Sequence, residues 1–282
     1  MQETRPTSKP EDPESDPVGI ATPGRPRIRS IALPTEHGGW GFTLEPILLG
    51  LLVAPSGTAW ELSAVALGVF LARRPVKLVS TDLVRRRWYP RTTVALVFSL
   101  LYGALGLAGL VGALFTTEGP FWIPMVVAAP LAMFALRADA HSKNRGLVAE
   151  LSGSIAMGST VASIAVGSGW EFAPAFGLWL VLAARSVAAI VLVRGQVRRL
   201  HDRPAGASRV YAVQVASVAV VAVAAALGAI PWLGVVAVGL VGVVAVVSLN
   251  RPAIEARVIG WTQMGLGLAV VLVTALGVRL GI

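Results

Sequence analysis

Long apolar runs, separated by short charged or turn-rich breaks, restrict the fold of this chain more than any other feature of its sequence. Nine such runs follow one another from residue 38 onward. An α-helix needs about 17–25 apolar residues to cross the hydrocarbon core of a bilayer. The second and fourth runs are shorter than this, so we expect their helices to tilt or to extend into their basic flanks. The sequence predicts an all-α fold, a polytopic membrane bundle of nine helices at about 38–54, 58–72, 92–114, 121–136, 147–167, 172–193, 210–228, 231–249 and 259–280.

The composition argues against a soluble protein. Only 14% of the residues are charged, where an ordinary soluble domain has about 25%, and the mean hydropathy is +0.72. The absence of cysteine excludes disulfides, thiolate zinc sites and cysteine nucleophiles. Residues 1–32 differ, because they are rich in Pro, Ser and charged groups and lack the apolar core of a signal peptide. They predict a disordered cytoplasmic tail before a transmembrane domain at 33–282.

The Lys and Arg residues are distributed unevenly between the connections. Of the 24, all but Arg185 and Arg279 lie in the tail or in the connections that follow the second, fourth, sixth and eighth runs. Positive residues stay on the cytoplasmic side of a membrane, so the N-terminus is predicted inside and the C-terminus outside. The net charge of +9 then reflects topology and attraction to anionic lipid, and nucleic acid is not an expected partner.

The stretch PTEHGGWGFTLEPILLG places two carboxylates and a histidine where the first run begins, and Glu45 lies within that run. Burying an unpaired charge in lipid is costly, so such a residue normally faces a partner or a wet cavity. Arg185, inside the sixth run, is the predicted partner of Glu45, with Glu150 as a competitor for the Arg. The pair would either fix the register of two helices or line a polar cavity that opens to the cytoplasm.

Other polar residues gather near the ends of the runs, on the predicted cytoplasmic side. Together with the pair they form a candidate ligand-binding site, whose basic members would make a rim for an anionic headgroup. Many of them could equally be topology signals; Glu36 and His37 could cap the first helix, and Trp40 could be an interfacial anchor. The candidate residues are Glu36, His37, Trp40, Glu45, Arg73, Arg74, Lys77, Asn144, Glu150, Arg185, Arg194, Gln196 and Arg198.

Three well-separated stretches of the chain resemble the YwiC-like family of bacterial integral membrane proteins. They are PTEHGGWGFTLEPILLG at 34–50, RRPVKL at 73–78 and RSVAAIVLVRGQVRR at 185–199. The stretches occur in the family's order, so the resemblance extends over about residues 34–260. It implies a location in the bacterial cytoplasmic membrane and little about activity.

A weaker resemblance is to the UbiA-type intramembrane prenyltransferases. It rests on the nine spans, the cytoplasmic N-terminus and the P-x-x-x-G pattern from Pro46 to Gly50. Those enzymes carry aspartate-rich motifs at the cytoplasmic ends of the second and sixth spans, where Mg²⁺ bridges the carboxylates to a prenyl diphosphate. Here RRPVK at 73–77 and RGQVR at 194–198 stand in those places, without the paired aspartates that chelation needs. This departure argues against Mg²⁺-dependent prenyl transfer. It leaves two basic helix ends, which the resemblance places opposite one another, to hold an anion directly, and no metal or other cofactor is expected.

Three functions stay open on the sequence. The first is the binding, with or without processing, of an isoprenoid or other anionic amphiphile in a cytoplasm-facing cavity. The second is small-solute or proton-coupled transport, with His37, Glu45 and Glu150 as a relay, although no inverted repeat is evident. The third is a non-catalytic membrane subunit. We favour the first, with membrane lipid as the partner, and the residues leave open whether the chain is an enzyme.

Overall fold

The structure, a computed structural model, describes residues 28–34, 37–140 and 146–282, with His37 and Gly38 described by their backbone alone. Within these residues the chain forms ten α-helices and no strand. The helices are α1 (Ile28–Ala32), α2 (His37–Val53), α3 (Gly57–Val84), α4 (Pro90–Thr116), α5 (Trp122–Ala140), α6 (Leu147–Gly167), α7 (Phe172–Leu200), α8 (Ala207–Ala226), α9 (Trp232–Leu249) and α10 (Ala256–Leu280).

The predicted all-α membrane bundle is confirmed. Each of the helices α2 to α10 overlaps one of the nine apolar runs, and seven of them, α4 to α10, are long and apolar enough by themselves to cross a membrane. The other two helices do not meet this criterion, because α2 has only 17 residues and the long α3 has charged residues along its second half. Of the predicted tail, residues 28–32 form α1, which buries Ile31 and Ala32, and residues 1–27 lie outside the described part of the chain.

Helix α3 is much longer than the apolar run that predicts it. Ser56 caps its first turn by accepting a hydrogen bond from the Ala59 amide at 3.1 Å. The helix then continues through Pro75 to Val84, although proline supplies no N–H to the helical ladder. Arg73 and Lys77 are therefore one helical turn apart on the same side of α3, as expected if the helix passed Pro75.

Helices α6 and α7 form the centre of the bundle. In their most apolar windows 56% of α6 and 72% of α7 is buried, against 11% of α4, so α4 is a peripheral, lipid-facing helix. Val161 of α6 and Leu178 of α7 are among the fully buried side chains of the largest core cluster. Helix α6 packs against both α3 and α7 and thus separates them. Arg185, in the middle of α7, is accordingly surrounded by protein.

Glycines bring α3 and α4 into close contact. A Cβ added to Gly68 would lie 2.7 Å from the Tyr102 carbonyl oxygen, and one added to Gly109 would lie 2.4 Å from the Glu61 carbonyl oxygen. In contrast, a Cβ on Gly103 would meet nothing within 4 Å. Small residues allow such close approach in lipid, where apolarity alone gives helices no reason to associate.

Contacts between helix ends sort the connections into two groups. At one end of the bundle Arg199 of α7 donates to the carbonyl oxygens of Ser248 and Arg251 at the end of α9, at 2.9 and 2.6 Å. At the other end Ser56 and Ser168 hydrogen-bond at 2.8 Å. The first group contains the basic connections and the second contains none of them. The charge pattern of the sequence thus corresponds to two ends of the folded bundle, and the inside orientation of the basic end stays a prediction.

Candidate functional site

A buried ion pair joins α2 to α7. Arg185 Nη2 lies 2.9 Å from Glu45 Oε1, and only 2% and 8% of the two side chains are exposed. Glu45 is about two turns into α2, and Arg185 lies in the middle of α7, the most buried helix. An arginine cannot lose its charge in a protein, and a carboxylate beside it offsets the cost of burial. The predicted Glu45–Arg185 contact is present in the structure.

Helix α10 completes the surroundings of the pair. Arg185 Nη2 donates a hydrogen bond to the backbone carbonyl of Gln263 at 2.8 Å. A Cβ added to Gly267, one turn further along α10, would lie 1.9 Å from Glu45 Oε1 and 2.8 Å from Arg185 Nη2. The Glu45 carboxylate therefore occupies the space that a side chain at residue 267 would need. The Arg185 guanidinium also stacks 5.5 Å from the centre of the Phe42 ring, a cation–π distance.

A second cluster joins α3 to the end of α5. Asp139 accepts from Arg73 Nε through Oδ2 at 3.0 Å and from Lys77 Nζ through Oδ1 at 2.8 Å. Lys77 Nζ also donates to the Asp139 carbonyl oxygen at 2.9 Å. The Asp139 side chain is 9% exposed, whereas Arg73 and Lys77 are 39% and 42% exposed. One buried carboxylate thus fixes two half-exposed cations, and the cluster carries a net positive charge.

A third contact joins the start of α6 to the last third of α7. Arg194 Nε donates to Glu150 Oε2 at 3.0 Å, and both side chains are 38% exposed. Glu150 is therefore held by Arg194, and Arg185 is left to Glu45. Of the basic residues that the sequence predicts to face one another, Arg73 and Lys77 of α3 are held by Asp139, and Arg194 of α7 is held by Glu150. Further along α7, Gln196 is buried and Arg198 is exposed.

The turn between α3 and α4 has an acid-centred network of its own. Asp82, which lies beyond the apolar part of α3, accepts from Thr92 Oγ1 at 2.7 Å and from Arg91 Nη2 at 3.0 Å. The hydrogen bonds from Arg91 and then Thr92 hold the pKa of this carboxyl below its usual value. This network fixes the α3–α4 turn. Among the described residues, no group of three or more His, Cys, Asp or Glu comes together to hold a metal ion.

Residues 33–165 of the chain match the family model described as YwiC-like protein. Over this stretch the chain is similar to the YwiC-like family. The resemblance predicted for residues 34–260 is confirmed for this part, which contains Glu45, the Arg73–Lys77–Asp139 cluster and Glu150. No curated protein and no solved structure matches the chain.

The YwiC-like stretch ends before the partners of two of its carboxylates. Arg185, which pairs with Glu45, and Arg194, which pairs with Glu150, both follow residue 165. Of the other candidates in the stretch, Trp40 donates to the Pro34 carbonyl oxygen at 3.3 Å and packs edge-on against Phe70. This places Trp40 at the crossing of α2 and α3. Arg74 also has an interaction partner.

Three predicted site residues lie wholly or partly outside the described part of the protein. Glu36 and Asn144 are not described, and of His37 only the backbone is, as the first residue of α2.

The sequence interpretation missed three residues of the folded site. Asp139 carries a weak signal, because it is an acid among basic residues at the end of a run. Gln263 carries one too, as an amide inside an apolar run. Gly267 carries none, since α10 contains several glycines and only the packing shows which one adjoins the ion pair.

Proposed function

We propose that this YwiC-like membrane protein binds an anionic amphiphile, a lipid or isoprenoid that carries a phosphate, through Arg73 and Lys77 of α3. The observation that supports this most directly is the sharing of Asp139 by two cations. One carboxylate neutralises one of the two charges, so a net positive charge stays at a fixed position on the basic end of the bundle. A phosphate would complete the neutralisation.

The geometry of Arg73 suits a phosphate ligand. Its Nε–H donates a hydrogen bond to Asp139. A guanidinium has five N–H donors in a planar fork that matches phosphate oxygens. Asp139 is nearly buried and holds the guanidinium and the Lys77 ammonium in one place. Such preorganisation lowers the entropy cost of ordering long side chains when an anion binds.

The apolar part of an amphiphile has a surface beside this cluster. Val69 and Val76 of α3 and Leu136 of α5 are exposed large apolar residues close in sequence to the cations and to Asp139. In a bilayer such residues contact acyl chains. A headgroup on Arg73 and Lys77 would therefore leave its chain along α3 and α5, and this favours an amphiphile over a free anion.

The proposal is tested by comparing lipid binding of the wild type and the Arg73→Gln/Lys77→Gln variant in native mass spectrometry. The probes are phosphatidic acid and farnesyl diphosphate, which carry the same phosphate chemistry on different chains, with phosphatidylcholine as the neutral reference. We expect binding of at least one phosphate probe to weaken about tenfold or more, and its dependence on salt to diminish. Arg87→Gln is the matched control, since Arg87 is an exposed cation of the same basic end.

The double variant leaves Asp139 buried without its cations, so its folding must be controlled. Adding Asp139→Asn removes the uncompensated charge and gives a cluster with no net charge. Unchanged phosphate-lipid binding in this triple variant, at wild-type melting temperature, would show that Arg73 and Lys77 serve topology only.

A further inference from the structure

Several polar atoms at the junction of α2, α7 and α10 have incomplete hydrogen bonding among the described residues. Arg185 Nε and both atoms of the Gln263 side-chain amide are buried and take part in no hydrogen bond among the described residues, and buried Glu45 Oε1 has only its ion-pair contact with Arg185 Nη2. Arg185 contacts Glu45 and the Gln263 backbone carbonyl through the same nitrogen, and Gln263 lies one turn before Gly267, on the face of α10 that adjoins the ion pair. Buried polar groups nearly always have a hydrogen-bond partner, and a concentration of exceptions indicates a bound molecule.

The charges at the junction restrict what can bind there. Glu45 and Arg185 neutralise one another, so an additional anion or cation would be an uncompensated charge inside the bundle. A neutral guest has no such cost. The donors without a partner among the described residues are Arg185 Nε and Gln263 Nε2, and Gln263 Oε1 is an acceptor without one, while Glu45 Oε1 can accept a further hydrogen bond beside its ion pair. A hydroxyl group can accept from the donors and donate to the acceptors.

The packing at the junction restricts the size of the guest. The Glu45 carboxylate already fills the space beside Gly267, where an added Cβ would overlap it at 1.9 Å. Gln263 lies between Trp261 and Met264 in the sequence of α10, and the side chains of these two residues are exposed on the surface of the bundle. The guest is thus a single small group that enters either as water or as the terminal hydroxyl of a membrane amphiphile.

We infer that the α2–α7–α10 junction binds a neutral hydroxyl group, held between Arg185, Gln263 and Glu45. This site is separate from the Arg73–Lys77–Asp139 cluster, and it stands whether or not that cluster binds a phosphate. Its function would be to complete the hydrogen bonding of the buried ion pair and, with an amphiphile as the guest, to recognise a neutral headgroup.

The decisive variant is Gln263→Leu, measured as the melting temperature of the purified protein in detergent. Leucine has nearly the volume of glutamine and no polar atoms. With a bound hydroxyl the substitution removes real hydrogen bonds, and we expect the melting temperature to fall by about 2–4 °C or more. With an empty junction it removes unpartnered polar atoms, and the melting temperature would rise, which would overturn the inference.

A matched substitution elsewhere in α10 is the control for how the melting temperature changes when a buried polar group is removed. Thr274 of α10 is fully buried, and its hydroxyl also has no partner among the described residues. Thr274→Val removes that hydroxyl with little change of shape, outside the junction.

The two sources of the hydroxyl are distinguished by native mass spectrometry. A bound mass that is present in the wild type and absent in Gln263→Leu identifies an amphiphile. Equal masses together with a destabilised variant identify water. A stabilised variant contradicts both.

Discussion

Glu45 of α2 and Arg185 of α7 form an ion pair with 2.9 Å between Oε1 and Nη2, inside a bundle of apolar helices. Neither residue can make this contact without Gly267 of α10, because any side chain there would overlap the carboxylate. Three helices that are far apart in sequence therefore meet at one charged contact.

The ion pair predicts a specific double-mutant cycle. Glu45→Gln and Arg185→Gln should each lower the free energy of unfolding by about 3–5 kcal/mol, because each leaves an uncompensated buried charge. The double variant should recover part of this loss, since two amides can hydrogen-bond one another. Chemical denaturation in detergent measures all three. Strictly additive losses would mean that the two side chains are not in contact.

Gly267→Ala should separate the two charges. The added Cβ overlaps Glu45 Oε1 and crowds Arg185 Nη2, so we expect a clear loss of melting temperature despite the better helix propensity of alanine. Gly265→Ala is the matched control, because a Cβ at this exposed position of α10 meets nothing within 4 Å. It should be neutral or stabilise by up to about 1 kcal/mol. Equal effects of the two substitutions would contradict the described packing.

The crossing of α3 and α4 should depend on Gly109 and not on Gly103. An alanine at Gly109 would place its Cβ 2.4 Å from a backbone oxygen of α3, and backbone cannot move aside cheaply. We expect Gly109→Ala to destabilise the protein markedly, while Gly103→Ala, which faces open space, should not. The melting temperatures of the two variants measure the difference, because each variant adds a single Cβ to α4. A tolerated Gly109→Ala would mean that the helices lie further apart.

Asp82 should contribute to stability in a pH-dependent way. Its pKa in the folded protein is lowered from 3.8 by hydrogen bonds from Arg91 and Thr92. The contribution is therefore fully present above the pKa of the unfolded chain and is lost as the pH falls through the folded pKa. We expect the stability difference between wild type and Asp82→Asn to shrink below about pH 4. A difference that is constant between about pH 2 and 6 would contradict this assignment.

The orientation in the membrane can be tested with introduced cysteines, because the native chain has none. Glu118 and Arg87 are exposed at opposite ends of the bundle. In intact cells an impermeant thiol reagent should label Glu118→Cys and leave Arg87→Cys unlabelled until the membrane is opened. The reverse pattern would invert the predicted topology.

The nine helices and the separation of basic from non-basic connections could be read from the sequence alone. Both depend on properties that each segment carries by itself, namely its length, its apolarity and its charge. The need of Glu45 for a partner could be predicted for the same reason, and Arg185 was identifiable because it is the one cation in the middle of an apolar run. The similarity of residues 33–165 to the YwiC-like family was likewise predictable from the stretches at 34–50 and 73–78.

Only the tertiary structure decided which partner each remaining charge has. Cations at helix ends look alike in a sequence, because electrostatic attraction is not selective until packing sets the distances. Contacts between the ends of α3 and α5 pair Lys77 with Asp139, and the packing of α6 against α7 pairs Glu150 with Arg194. The same holds for Gly267, which differs from its neighbouring glycines only in facing Glu45. Local composition therefore determines whether a helix can cross the membrane. The choice among equivalent polar partners depends instead on contacts between helices that are distant in the chain.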